Sequence, residues 1–263
     1  MALCADIRVR LLPSASGAPG PGGALQYANT FLINETIAVD AGSLGFHGSP
    51  STQSEVRNIL LTHGHADHIA SLPMLLINDY DPQRECMQVW GTDDTLDVLK
   101  SHVFNDRVWP DLDRIGTPEA PFARFRQLVP GMPVELEGLR FTPIPVDHTV
   151  PTVGFLVEAA GKSLVIGGDS EPTEELWRRA RELQGLSGVF LEASFPDREH
   201  DLAVASKHLT PTRFAGEVAK LPAGTPMYAV HFKPAHQAEI CAELEQLGLS
   251  DLCIVEPGKE YTF

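Results

Sequence analysis

Residues 61–68 read Leu61-Thr62-His63-Gly64-His65-Ala66-Asp67-His68. The octapeptide follows the β-rich run Asn58–Thr62 and leads into a segment with Ile69, Leu72 and Leu76 at helical spacing, so its local reading is strand, loop, helix. Side chains two apart at a strand's end point the same way, which lets His63 and His65 grip one metal ion. Asp67 and His68, at the start of the following helix, can then address a second ion a few ångströms away. The apolar face behind them would hold these groups rigidly against a core.

Since a lone histidine is usually structural, the rest of the chain must supply matching donors. Three stand at the ends of β-rich runs: His148 in Val146-Asp147-His148, Asp169 in Gly167-Gly168-Asp169-Ser170, and His231 in Ala229-Val230-His231. Loops at strand ends are where α/β proteins place their chemistry, and the glycines before Asp169 permit close backbone approach. Period and punctuation predict strands over Ile7–Leu12, Thr30–Ile33, Thr36–Asp40, Asn58–Thr62, Gln88–Gly91, Leu139–Pro145, Val153–Glu158, Ser163–Gly167, Gly188–Glu192, Pro226–His231 and Leu252–Glu256. Helices are predicted over His68–Asn78, Thr92–Val103, Thr173–Gln184, Pro211–Leu221 and Pro234–Leu247. This is an α/β pattern. The steps near residues 25–40 and 135–168 carry no helix, so the sheet structure must be partly antiparallel rather than doubly wound and parallel.

With 20 Lys plus Arg against 35 Asp plus Glu, the formal charge of the 263-residue chain is −15, which argues against a partner such as a long nucleic acid. A content of 43% apolar and 21% charged residues is that of a soluble globular protein. Runs such as Leu72–Ile77 fall far short of the roughly 20 residues a membrane span needs. Asp6, Arg8 and Arg10 interrupt the first apolar stretch, so a cytoplasmic location is expected by default. Cys4, Cys86, Cys241 and Cys253 form no CxxC pair and read as reduced packing residues. Ser14–Gly23 is a low-complexity loop, and no internal repeat is visible in the sequence. Ser101–Pro133 is the least regular stretch; its Phe104, Asn105, Trp109, Phe122 and Phe125 suit either a lid or a satellite core.

The order H-x-H-x-D-H, a later His, a Gly-Asp and a final His resembles the metal-binding order of the metallo-β-lactamase superfamily over nearly the whole chain. That resemblance implies a four-layer αβ/βα sandwich with two mixed β-sheets. It assigns His63, His65 and His148 to one metal and Asp67, His68 and His231 to the other, with Asp169 bridging. Asp40, in Ala38-Val39-Asp40-Ala41-Gly42, matches an early aspartate that supports the metal loop. Within the superfamily the chain is similar to the bacterial class II cyclic-nucleotide phosphodiesterases. The likeness is carried by His63–His68, Phe104–Pro110, Phe190–Pro196, Lys207-His208-Leu209-Thr210-Pro211 and Val230-His231-Phe232-Lys233-Pro234. The family commonly has Leu at the position of Ala66 and often Ser at that of Gly167. Glu192 and His208 also resemble the paired Glu and His of tRNA 3′-processing nucleases, which points to phosphodiesters rather than lactams.

The activity so implied is hydrolysis of a small-molecule 3′,5′-cyclic nucleotide (cyclic AMP or cyclic GMP) to the 5′-monophosphate by a dinuclear-metal hydroxide. The resemblance makes Asp67, His208 and Glu192 the expected catalytic residues. His208 would contact the phosphate and protonate the leaving oxygen, with Glu192 holding the imidazole in the donating state. For an all-imidazole and carboxylate set, two Zn²⁺ ions lead, with Mn²⁺ or Fe²⁺ compatible. No membrane or long nucleic acid is expected as partner, a homodimer is allowed, and motifs from Asp40 to His231 sharing one site make residues 1–263 a single domain. The rivals are another hydrolase on this scaffold (an RNA 3′-end nuclease, a lactonase or a different phosphodiesterase) and a non-catalytic nucleotide sensor. Nine acids against three bases in residues 79–113 disfavour the nuclease. Structural alternatives are a helix cap for His208 and a buried paired carboxylate for Glu192. His47, His102, His200 and His236 read as surface or loop groups, with His47 the one that follows the Asp40 loop. If the 101–133 stretch is a lid, Phe104, Asn105 and Trp109 could close over a base by stacking, a reading that rests on the resemblance alone.

Overall fold

In a computed structural model the described residues are 6–14 and 25–263; Cys4 and the Ser14–Gly23 tract beyond Ser14 lie outside them. The strands of the first half are β1 (Arg8–Leu11), β2 (Phe31–Ile33), β3 (Ile37–Val39), β4 (Asn58–Leu60), β5 (Met87–Gly91) and β6 (Ala123–Gln127). Those of the second are β7 (Val134–Leu136), β8 (Leu139–Val146), β9 (Thr152–Ala159), β10 (Lys162–Ile166), β11 (Leu186–Glu192), β12 (Met227–Val230), β13 (Leu252–Ile254) and β14 (Glu260–Thr262). They form two seven-stranded sheets, ordered β14-β1-β2-β3-β4-β5-β6 and β13-β12-β11-β10-β9-β8-β7.

Every residue of β2, β3 and β4 is buried, as expected of strands covered on both faces, which read as continuous apolar runs rather than alternating ones. One face meets the opposite sheet: Val9, Ile33, Val39 and Leu60 pack with Phe141, Phe155, Leu164 and Phe190. The outer face of the first sheet is covered by Leu72, Leu75 and Leu76, which lie over Ala38, Ile59 and Val89. On the second, Leu176, Trp177, Phe214, Ile240 and Leu244 cover Val165, Val189 and Ala229. Helices, sheet, sheet and helices make the four-layer αβ/βα sandwich. Both sheets are mixed, with β1–β2–β3 and β8–β9–β10 antiparallel and β3–β4–β5–β6 and β10–β11–β12–β13 parallel.

Several elements differ from their predicted bounds. The helix predicted over His68–Asn78 is divided into Ala66–Ile69 and Leu72–Asn78, because Pro73 has no N–H to continue the ladder and the Ser71 N–H donates instead to Ala41 O at 3.1 Å. The predicted Thr92–Val103 helix becomes α-helix Asp93–Val98 and a π-helical turn over Leu99–Val103. Strands β6, β7 and β14 were not predicted; β6 has the burial pattern of an edge strand, with only Ala123 buried, so it presents no apolar run to read.

The 101–133 stretch holds β6 and the helix Leu112–Ile115. Phe104 belongs to the outer core layer, with Trp109, Phe122 and Phe125 packed against it. Stacking of Phe104, Asn105 and Trp109 over a base is therefore corrected: the aromatic rings join the outer core layer of the first sheet rather than a separate satellite core. Asn105 closes a local turn, its Oδ1 accepting from Arg107 N and Val108 N at 3.0 Å each. Cys86, Cys241 and Cys253 are free thiols. No helix of the described residues is long and apolar enough to cross a membrane.

Candidate metal centre

Asp40 follows β3, His63 and His65 follow β4, His148 follows β8, Asp169 follows β10, Glu192 ends β11 and His231 follows β12. These strand ends share one rim, where the Val153 N–H at the start of β9 donates to Thr62 O at 3.1 Å and ties the two sheets together. Strand β4 stops at Leu60 because the Thr62 N–H leaves the ladder for Asp40 Oδ1, at 2.8 Å. The Asp40 loop is stitched to the His63–His68 loop by Ala41 N to His68 O (2.8 Å), and through Asn29, which accepts from Gly42 N (2.9 Å) and donates its N–H to Asp67 O (2.7 Å). Gly42 makes that approach possible, since a Cβ there would lie 2.0 Å from the Asp67 carbonyl oxygen.

All seven residues expected to bind metal converge. His63, His65 and His148 form one group, Asp67, His68 and His231 a second, and His63, His68 and Asp169 a third, each with donor atoms within 4.8 Å of one another. Asp169 is central: its Oδ2 lies 3.2 Å from His231 Nε2, 3.3 Å from His68 Nε2 and 4.0 Å from His63 Nε2. Asp67 Oδ2 is 3.8 Å from His231 Nε2.

Proton bookkeeping shows what the cluster lacks. The Lys207 carbonyl can only accept, so His148 Nδ1 carries the proton of their 3.1 Å bond, and His148 Nε2 is left with a lone pair. Thr62 Oγ1 spends its proton on Asp40, 2.9 and 3.0 Å from the two carboxylate oxygens. It therefore accepts from His63 Nδ1 at 2.9 Å, and His63 Nε2 is also a lone pair. Both face His65 Nδ1, at 3.0 and 3.2 Å, which can offer at most one proton to two acceptors. Nitrogens sharing one tetrahedral cation at the usual Zn–N distance stand about 3.3 Å apart. On the other side, His68 Nδ1 is bonded to Asp40 Oδ2 at 2.7 Å, while the buried Nε2 atoms of His68 and His231 make no well-aligned hydrogen bond and face only Asp169 Oδ2, at 3.3 and 3.2 Å. Orphaned nitrogens around a buried carboxylate fit divalent cations.

The electrostatics agree. Burial holds His63, His65 and His148 below the usual imidazole range, neutral and able to ligate. Burial would lower His68 too, yet the Asp169 and Asp40 carboxylates on its two nitrogens raise it well above that range; a cation between His68 and Asp169 would displace that proton. Burial opposes ionisation of Asp169, but His231 and His68 hold it well below the usual carboxylate range.

Glu192 and His208 adjoin the cluster. Glu192 is buried and accepts from Ser170 N (2.8 Å), Ser194 Oγ (2.5 Å) and Leu209 N (3.3 Å). His208 Nδ1 donates to it, at 2.8 and 3.0 Å from its two oxygens, and lies 4.0 Å from Asp169 Oδ2. Burial would lower His208, but Glu192 and then Asp169 raise it. The cap of the helix Pro211–Val218 is Thr210, so His208 is not its cap. His102 and His200 are exposed and His47 and His236 partly so; the charges that reach His47 are Arg10 and Glu35, with no member of the cluster among them. Sequence reasoning missed Lys233 as a site residue. Its Nζ is 3.6 Å from Asp67 Oδ2, and the signal for it was its place two residues after His231.

Residues 35–232 match the family described as a beta-lactamase superfamily domain, and the chain belongs to that superfamily. It is 26% identical to a protein of Yersinia pestis named probable 3′,5′-cyclic-nucleotide phosphodiesterase, over 96% of this chain and 80% of that protein. A ribonuclease Z of Mycobacterium bovis is 30% identical over 55% of this chain and 51% of its own length. Among solved structures, unliganded yeast PDE1 superposes with a TM-score of 0.77 at 19% identity, covering 97% of this chain and 98% of that one, a likeness of fold.

Proposed function

We propose that this metallo-hydrolase is a phosphodiesterase that opens 3′,5′-cyclic nucleotides to nucleoside 5′-monophosphates. In this reading His63, His65 and His148 would hold one divalent cation and Asp67, His68 and His231 a second, with Asp169 a ligand available to both and Zn²⁺ the best match to the donor set. When bound, such cations supply Lewis acidity toward a phosphoryl oxygen and acidify a water.

The carrying observation is the buried Glu192–His208 pair beside Asp169. A ribose 3′ oxygen leaves poorly unless it is protonated as it departs. With Nδ1 committed to Glu192 and the imidazole raised by that contact, His208 presents Nε2–H as the donor. Lys233, whose Nζ lies 3.6 Å from Asp67 Oδ2, would supply a charged donor to a phosphate oxygen. The name of the Yersinia pestis relative, which aligns over 96% of this chain, supports the choice of substrate. The ribonuclease Z likeness supports the rival, a nuclease acting on RNA 3′ ends.

A panel of cyclic AMP, cyclic GMP, an RNA with a 3′ extension and a lactone separates these readings for the metal-loaded protein. Turnover of a cyclic nucleotide at a kcat/KM well above the others is expected. Cleavage of the RNA or the lactone alone overturns the assignment.

A further inference from the structure

Beside the cluster lies a cavity of about 200 Å³ that the proposed chemistry does not use. One wall is His65, whose Nδ1 faces His63 and His148 at 3.0 and 3.2 Å; Val98, Val150 and Pro151 make apolar walls, Thr95 adds a hydroxyl already bonded to Thr92 Oγ1 at 3.1 Å, and Asp94 completes the lining. Gly64 gives it a bare backbone face, and a Cβ there would lie 2.8 Å from Val98 Cγ1. A second cavity of about 410 Å³ continues from it, sharing Asp94 and Pro151.

Walls of this kind accept a planar aromatic face, and a few placed polar groups then decide which ring is taken. Asp94 is exposed, and among the described residues no hydrogen bond or ion pair engages its carboxylate. We propose that this cavity is the base subsite and that Asp94 selects guanine, an inference that rests on the cyclic-nucleotide reading above. The Watson–Crick edge of guanine offers N1–H and N2–H side by side, a match for the two oxygens of one carboxylate. Adenine offers one donor and one lone pair there, and the lone pair repels a carboxylate. Asparagine, with one acceptor and one donor, matches adenine instead.

Asp94 also stands in the first turn of the helix Asp93–Val98, where an acid is ordinary, so the test needs a readout that such a role does not move. Affinities of 5′-GMP and 5′-AMP are measured by calorimetry on the metal-loaded protein and its Asp94→Asn variant, with turnover of both cyclic nucleotides followed in parallel. The wild type is expected to bind GMP at least about fivefold more tightly than AMP, as one bidentate contact allows, and Asp94→Asn to reverse the order at unchanged metal content. Equal affinities, or a ratio the substitution leaves alone, overturn the subsite even where cyclic nucleotides turn over. A GMP preference that Asp94→Asn reverses, without turnover of either cyclic nucleotide, upholds the subsite and overturns the proposed activity.

Discussion

At His208 the expected outcome is a loss of turnover without a loss of metal. Removing a positioned proton donor costs roughly 10²–10⁴-fold in rate, so His208→Ala should lower kcat by that order while metal analysis stays at the wild-type level. Parallel loss of metal would make the residue structural. Lys233→Met should raise KM for a phosphodiester about tenfold, the scale of one charge-assisted contact, and Lys233→Arg should restore most of it; an unchanged KM would remove Lys233 from the phosphate site. The difference in legibility between these groups has a physical origin. Metal binding demands particular side chains at strict spacings, so His63, His65, Asp67, His68, His148, Asp169 and His231 were visible as a pattern. Lys233, Thr62 and Ser194 are common residue types whose roles come from what the fold sets beside them, Thr62 between Asp40 and His63, Ser194 against Glu192.

Among the elements, the loops that carry the site are held in costly conformations by their neighbours. Asp40, Lys207 and His231 all have positive φ, 63°, 54° and 58°, at about 1–3 kcal/mol each for a non-glycine residue. Such strain persists because the flanking strands and the stitching hydrogen bonds fix both ends. Gly42→Ala is the sharpest test of that stitching: with a Cβ 2.0 Å from the Asp67 carbonyl, the two loops must part, and metal content and activity should fall together. Retention of both would show the loops to be adaptable. Farther out, Glu217 is buried and accepts from Thr173 N at 3.0 Å and from Trp177 Nε1 at 2.6 Å, fastening the helix Glu175–Ala180 to the helix that follows the His208 loop. Glu217→Ala leaves two buried donors unpaired at about 1–3 kcal/mol each, and a urea melt should show a stability loss of about that sum. Element positions were largely readable where apolar runs are continuous, as in β9 and β10. They were lost where an edge strand such as β6 alternates charged residues, or where Pro73 and the Ala41 carbonyl divide a helix that periodicity alone would continue.

Across the whole molecule, the two sheets repeat one plan. Antiparallel β1–β2–β3 followed by parallel β3–β4–β5–β6 is mirrored by antiparallel β8–β9–β10 followed by parallel β10–β11–β12–β13, although no repeat is visible in the sequence. Topology tolerates any residues that keep strands apolar, whereas the site needs different ones from each half. His63, His65, Asp67 and His68 come from the first, and His148, Asp169, Glu192, His208 and His231 from the second. Cations at their junction would bridge the sheets, so chelation should lower Tm by on the order of 10 °C, read by calorimetry; an unchanged Tm would mean that the sheets do not depend on the metals. The charge of −15 fits a small site whose floor two divalent cations would make strongly positive. Opening of a cyclic phosphodiester at a metal-loaded cluster can be followed by ³¹P NMR of the metal-loaded protein incubated with a 3′,5′-cyclic nucleotide. A single new resonance, that of the nucleoside 5′-monophosphate, is expected; an unchanged spectrum, or the resonance of the 3′-monophosphate, rules out this activity.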